Sequence, residues 1–219
     1  VVWLALFIAF IGITMVSPLM PMFAEKMGAS GIWLGLAFSG FAISQVPLTP
    51  VVGRLSDRFN KKFFLWLGLL ILAMTAVGYF WSPGYHELVF FSVLSGVGAA
   101  MFIPIAFSYV GELAPPGHEG RYMGLFNVAL VAGFGIGPML GGVVHDSLGM
   151  DATFVSMGML SILGLVIILL FLPRRTPSPR VTPSSGATEF EEPSSSFASL
   201  LRDATIQGII TIQLVLGLL

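Results

Sequence analysis

Two apolar blocks enclose a charged knot between residues 27 and 86: MGASGIWLGLAFSGFAISQVPLTPVVG (27–53), RLSDRFNKK (54–62) and FFLWLGLLILAMTAVGYFWSPGYH (63–86). The blocks, 27 and 24 residues long, contain no Asp, Glu, Lys or Arg, while the nine residues between them hold five charges. Roughly 18 apolar residues suffice for a transmembrane helix, so each block reads as a span and the knot as the hairpin joining them. Charge-free runs recur at 1–24, 88–111, 122–145 and 152–173, and another opens at 204. Only 10% of the 219 residues are charged and 56% are hydrophobic, whereas a soluble domain carries about 25% charge. That is too little charge to coat a water-exposed surface, which excludes a soluble enzyme, a nucleic-acid binder and a disordered chain.

Inside a bilayer the backbone must satisfy its own hydrogen bonds, so the spans are helices or the strands of a closed barrel. Barrel strands are about 10 residues long and alternate in polarity; these runs are twice as long and do not. The expected fold is therefore an all-α membrane protein, a six-helix transmembrane bundle over 1–172 with spans near 1–21, 32–53, 63–81, 88–112, 122–144 and 153–172. A Pro- and Ser-rich linker follows at 173–203, and a seventh span starts at 204–219. The linker has too few apolar residues to offset its ordering entropy. Val1 opens directly into apolar sequence and Leu219 lies inside another apolar run, so the expectation is the front half of a longer protein. Nine of the ten Lys and Arg fall in the loops on one side, Lys26 alone on the other. Positive charge stays inside, which predicts a cytoplasmic N-terminus and linker in a multi-pass protein of the plasma or inner membrane. Trp81 and Tyr85 would lie in the outer aromatic belt. With no Cys and three scattered His, no metal site or cofactor is expected.

The hairpin carries more than positive charge. Asp57 stands between Arg54 and Arg58, followed by Asn60, Lys61 and Lys62. Gly53 sits where the helix is expected to end and allows close backbone approach; Asn60 tolerates the left-handed conformation of a tight turn. The passage GRLSDRFNKK resembles the signature loop of the major facilitator superfamily, G-x-L-[SA]-D-R-x-G-R-[RK], with Asn60 in place of the second glycine. The resemblance implies half of a twelve-helix fold, with the other half of the same chain as partner. It further implies that Asp57 latches the cytoplasmic side by meeting a helix end of the opposite half, with Arg58 and Arg121 as local partners. Glu112 and Arg121 would be gate partners, although a solvated helix-end carboxylate explains Glu112 equally well.

In the fifth run, GLFNVALVAGFGIGPMLGG, Gly124, Gly133, Gly137, Pro138, Gly141 and Gly142 follow a fixed spacing. Gly133, Gly137 and Gly141 recur every four residues and form a smooth ridge on one helix face; Pro138 removes a backbone donor and bends the helix. The pattern resembles the motif of the superfamily's drug and proton antiporters. In the fourth run, the place where many members carry an arginine is Ser92, and no Asp, Glu, Lys or Arg lies in the interior of any of the six spans.

Polar residues within spans face the bundle or a cavity. Thr14, Ser17, Phe38, Gln45, Thr49, Ser92 and Asn127 are thus candidate cavity residues, uncharged and suited to an amphipathic small-molecule substrate. The function implied is alternating-access secondary transport, with efflux of amphipathic compounds coupled to protons or another ion. Transport of another solute, such as a sugar or metabolite, and a non-transporting membrane sensor are the alternatives. No phosphate-cradling loop, nucleophile–base pair or metal cluster points to an enzyme, so no catalytic residue is expected.

Overall fold

The computed structural model describes residues 2–172; the expected linker at 173–203 and the start of a seventh span at 204–219 lie outside the described residues. The first span is interrupted. Helix α1 (Val2–Val16) passes into a 3-10 turn at Ser17–Leu19 and resumes as α2 (Met20–Lys26). Pro18 and Pro21 each stand in the first turn of the segment they open, where a missing N–H leaves no helical bond unmade. The span therefore reaches Lys26, not 21 as predicted.

The other spans are α3 (Ile32–Arg58), α4 (Lys61–Phe80), α5 (Tyr85–Leu113), α6 (Glu119–Leu148) and α7 (Met150–Phe171). Among the described residues there is no strand, and six helices are long and apolar enough to cross a membrane. Most run a few residues past the predicted limits. A charge-free run marks the apolar slab, whereas a helix continues through its charged ends.

Packing follows a permutation. The first span lies against α6 and α7, α5 against α3 and α4, and α4 against α7. Exchanging the first three spans for the last three maps this pattern onto itself, the signature of an internal three-plus-three repeat.

Small residues let the pairs close. On α6, Gly133, Gly137 and Gly141 are buried against α1: a Cβ there would lie 2.6 Å from Phe10 Cβ, 2.0 Å from Thr14 Oγ1 and 2.1 Å from the Met15 carbonyl oxygen, respectively. The Thr14 hydroxyl stands 2.8 Å from both the Phe10 and Gly133 carbonyl oxygens, its own turn and the facing helix. The α3–α5 pair repeats the device. Gly96 faces the Phe41 carbonyl, Ser44 Oγ donates to Val93 O at 2.6 Å, and Ser92 Oγ donates to Ala37 O at 2.9 Å. Phe10, Phe102, Phe126 and Phe154 fill the interior, with Phe10 edge-on to Phe102 and Phe126 at 5.8 and 5.9 Å. The two helices left most open are α3 and α6, with 11% and 22% of their apolar windows buried.

Candidate functional site

All six spans contribute to one cavity. Its polar walls are Thr14 and Ser17 of the first span, Gln45 of α3, Tyr79 of α4, and Ser92 and Ser95 of α5. Its apolar walls include Phe10, Phe38, Phe41, Phe134, Met20 and Met157. No charged side chain lines it. The hydroxyls form a ladder: Tyr79 Oη donates to Ser95 Oγ at 3.3 Å, Ser95 Oγ to Ser92 O at 2.7 Å, and Ser92 in turn reaches α3. Most of this polarity is satisfied by backbone carbonyls, leaving the exposed Ser17 hydroxyl, the Gln45 carboxamide and the aromatic faces as the groups open to a solute. The enclosed volume is about 110 Å³, well below the roughly 300 Å³ of a drug-sized pocket. The bundle thus offers one wall of a site.

Five of the seven predicted cavity residues meet here: Thr14, Ser17, Phe38, Gln45 and Ser92. Two do not. Thr49 turns its hydroxyl onto Gln45 O at 2.8 Å, and Asn127 is exposed, with Nδ2 donating to Met123 O at 3.2 Å. Tyr79 and Ser95 belong to the cavity although their sequence context did not mark them. Tyr79 is separated from Thr75 by one turn, which was the only available signal.

The charged end differs from expectation in its geometry. Helix α3 does not stop at Gly53 but continues to Arg58, and the chain reverses in two residues, Phe59 and Asn60. Gly53 has no neighbour within 4 Å of where a Cβ would be, so it permits no close backbone approach. Asn60 is extended, with φ −68° and ψ 114°, and caps α4 by accepting the Lys62 N–H at 3.0 Å. An N-cap turns the chain at an extended residue, so a left-handed conformation is not required.

Lys61 is the centre of this end. Its ammonium donates to Ser108 Oγ at 2.6 Å and Glu112 Oε1 at 2.5 Å, and lies 3.9 Å from Asp57 Oδ1. One cation joins the ends of α3, α4 and α5. Glu112 therefore meets Lys61 rather than Arg121, which is exposed at the start of α6; Lys61 follows Asn60 directly, opens α4 and reaches Glu112 across the contact between α4 and α5. The Arg58 side chain lies outside the described residues. In the fifth-run motif, Gly124 and Gly142 stand on open faces with nothing within 4 Å, unlike the buried ridge. Pro138 lies inside an unbroken α6.

Six apolar helices with an internal repeat, an uncharged central cavity and an ion-paired hairpin define a multi-span membrane protein of the solute-transporter class. The chain matches the profile of the Major Facilitator Superfamily over residues 2–219 and belongs to that family, which comprises transporters rather than enzymes. It is 34% identical to an uncharacterized MFS-type transporter of Methanocaldococcus jannaschii, over 76% of this chain and 43% of that protein. It is 36% identical to Multidrug resistance protein 2 of Bacillus subtilis, over 64% of this chain and 35% of the relative. In fold it is similar to a bacterial homolog of the human lysosomal transporter Spinster in an inward-facing, unoccupied conformation. There the TM-score is 0.72 at 20% identity, covering 92% of this chain and 47% of that one. The chain spans less than half the length of each of these proteins.

Proposed function

We propose that this six-helix bundle is one wall of an alternating-access secondary transporter that exports amphipathic compounds, driven by a proton or other ion gradient. The observation that carries it is the cavity: aromatic, hydroxyl-lined and free of ionised groups, with all six spans contributing. A sugar phosphate or dicarboxylate would require Arg or Lys there. The likeness to a multidrug resistance protein of Bacillus subtilis supports the same solute class.

The second half of the transporter closes the site across the open faces of α3 and α6, from which Phe38, Gln45 and Phe134 reach the cavity. At the cytoplasmic end, Asp57 is 62% exposed at the side chain and is the most exposed member of the Lys61 cluster. Its carboxylate caps a helix N-terminus of that second half, an interaction of about 0.3–2 kcal/mol, small enough to break in each cycle. Lys61 and Glu112 hold the hairpin rigid while this contact forms and breaks. The ion-carrying residue belongs outside the apolar middle of these spans, where Asp, Glu, Lys and Arg stand only near the helix ends.

Fluorescent-dye binding to the full-length protein tests the cavity. Phe38→Ala and Gln45→Leu should each weaken binding at least about five-fold, the roughly 1 kcal/mol of a genuine contact. Thr49→Val and Asn127→Leu should leave it unchanged. Equal effects from both pairs would remove the cavity from the binding site.

A further inference from the structure

A second concavity opens at the charged end, outside the central cavity. It has a volume of about 850 Å³, within the roughly 300–1,000 Å³ of ligand pockets. Its walls come from the end of α3, the turn, the start of α4 and one residue each of α5 and α7. Apart from Asn60 and Lys62 every lining side chain is apolar apart from the indole N–H of Trp66. Phe59 and Phe63 are 57% and 46% exposed, and Phe63 meets Trp66 edge-on at 5.3 Å.

Lys62 sets the chemistry. Its ammonium donates to Leu169 O at 2.9 Å and to Leu172 O, carbonyls at the C-terminal end of α7. These use two of its three donors. Among the described residues no carboxylate lies within ion-pair distance of Lys62, in contrast to its neighbour Lys61. The hairpin and its partner helix end hold Arg54, Arg58, Lys61 and Lys62 against Asp57 and Glu112, an excess of two positive charges. An apolar trough with a cation at its rim that has no carboxylate partner among the described residues, at the depth where the apolar spans give way to charge, is complementary to an anionic amphiphile. A water-soluble acidic peptide would match the cation but not the aromatic walls.

We propose that this groove binds one anionic phospholipid, its phosphate at Lys62 and an acyl chain along Phe59, Phe63 and Trp66. Juxtamembrane basic residues attract anionic lipid by about 1 kcal/mol each, so the site selects its lipid by charge and holds it by shape. Lipid bound here would brace α4 against α7 beside the Lys61 cluster, without taking part in solute recognition.

The test uses the full-length protein in zwitterionic nanodiscs, with Trp3, Trp33, Trp81 and any tryptophan beyond this chain changed to Phe, so that Trp66 reports alone. Phosphatidylglycerol or phosphatidylcholine with a dibrominated acyl chain is titrated in. Half-maximal quenching by phosphatidylglycerol should need about five-fold less lipid, the fold-change equivalent to ~1 kcal/mol. Lys62→Gln should abolish that preference and Lys62→Arg preserve it. On the protein with its native tryptophans, native mass spectrometry should find one fewer retained phosphatidylglycerol in Lys62→Gln, so the outcome does not depend on the tryptophan variant folding. Equal quenching by both lipids, or a preference that survives Lys62→Gln, would overturn the proposal. So would the absence of quenching by either, because protein would then cover the groove.

Discussion

Gly141→Ala is the sharpest perturbation available on the α1–α6 contact. The added methyl would stand 2.1 Å from the Met15 carbonyl oxygen and 3.0 Å from its carbon. Carbon–oxygen contacts begin at about 3.3 Å, so the helices must part by roughly 1.2 Å. The clash is with backbone, which no rotamer change relieves. Sliding α6 along α1 gives no escape, because Gly133 and Gly137 are seated against Phe10 and Thr14 in the same way. Overpacking of this kind costs about 1–3 kcal/mol. Parting the helices also stretches the 2.8 Å approach of Thr14 Oγ1 to Gly133 O, worth about 0.6 kcal/mol in a membrane protein. The expected loss is about 1.6–3.6 kcal/mol. The next residue is the control: Gly142 has no neighbour within 4 Å of its missing Cβ, and Gly→Ala in an open helix gains up to about 1 kcal/mol. Unfolding of the full-length protein in mixed detergent micelles, followed by circular dichroism, should give opposite signs for adjacent positions. Equal stability of Gly141→Ala and Gly142→Ala would refute the ridge argument.

Gly96→Ala should behave like Gly141→Ala, since its Cβ would meet the Phe41 carbonyl oxygen at 2.1 Å; the same unfolding measurement checks it. Gly137→Leu should damage transport, and unchanged flux would reduce the ridge to passive packing. A double-mutant cycle on Lys61→Gln and Glu112→Gln should return about 0.2–1 kcal/mol of coupling, as expected for a partly exposed ion pair, whereas Arg121→Gln combined with Glu112→Gln should show none. Asp57→Asn should lower flux while insertion and unfolding stability stay unchanged; normal flux would remove Asp57 from the latch.

Where the spans lie was legible because the bilayer imposes a length and forbids charge, and those constraints act locally. The glycine ridge was legible for a related reason: a four-residue repeat puts Gly133, Gly137 and Gly141 on one face in any helix. Its partner was not, since nothing in a single helix says that α1 rather than α7 lies opposite. The hairpin was misjudged at Gly53 because a glycine in a membrane helix signals close packing or chain reversal only in context, and here α3 simply runs past it to Arg58. Glu112 likewise had two readings, a partner of Arg121 or a solvated helix-end carboxylate, and only the packing of α4 on α5 brings Lys61 to it. Of the cavity residues, Thr14, Gln45 and Ser92 could be read from polarity within apolar runs. Tyr79 could not, because an aromatic residue near a span end reads equally well as an interfacial anchor.

If this uncharged cavity carries solute across a membrane under an ion gradient, dye must flow into proteoliposomes containing the full-length protein under an imposed pH gradient. The expected result is gradient-driven accumulation that an uncoupler abolishes and that Phe38→Ala and Gln45→Leu shift to higher KM. Saturable dye binding without any gradient-dependent flux would contradict it and leave a membrane sensor in its place.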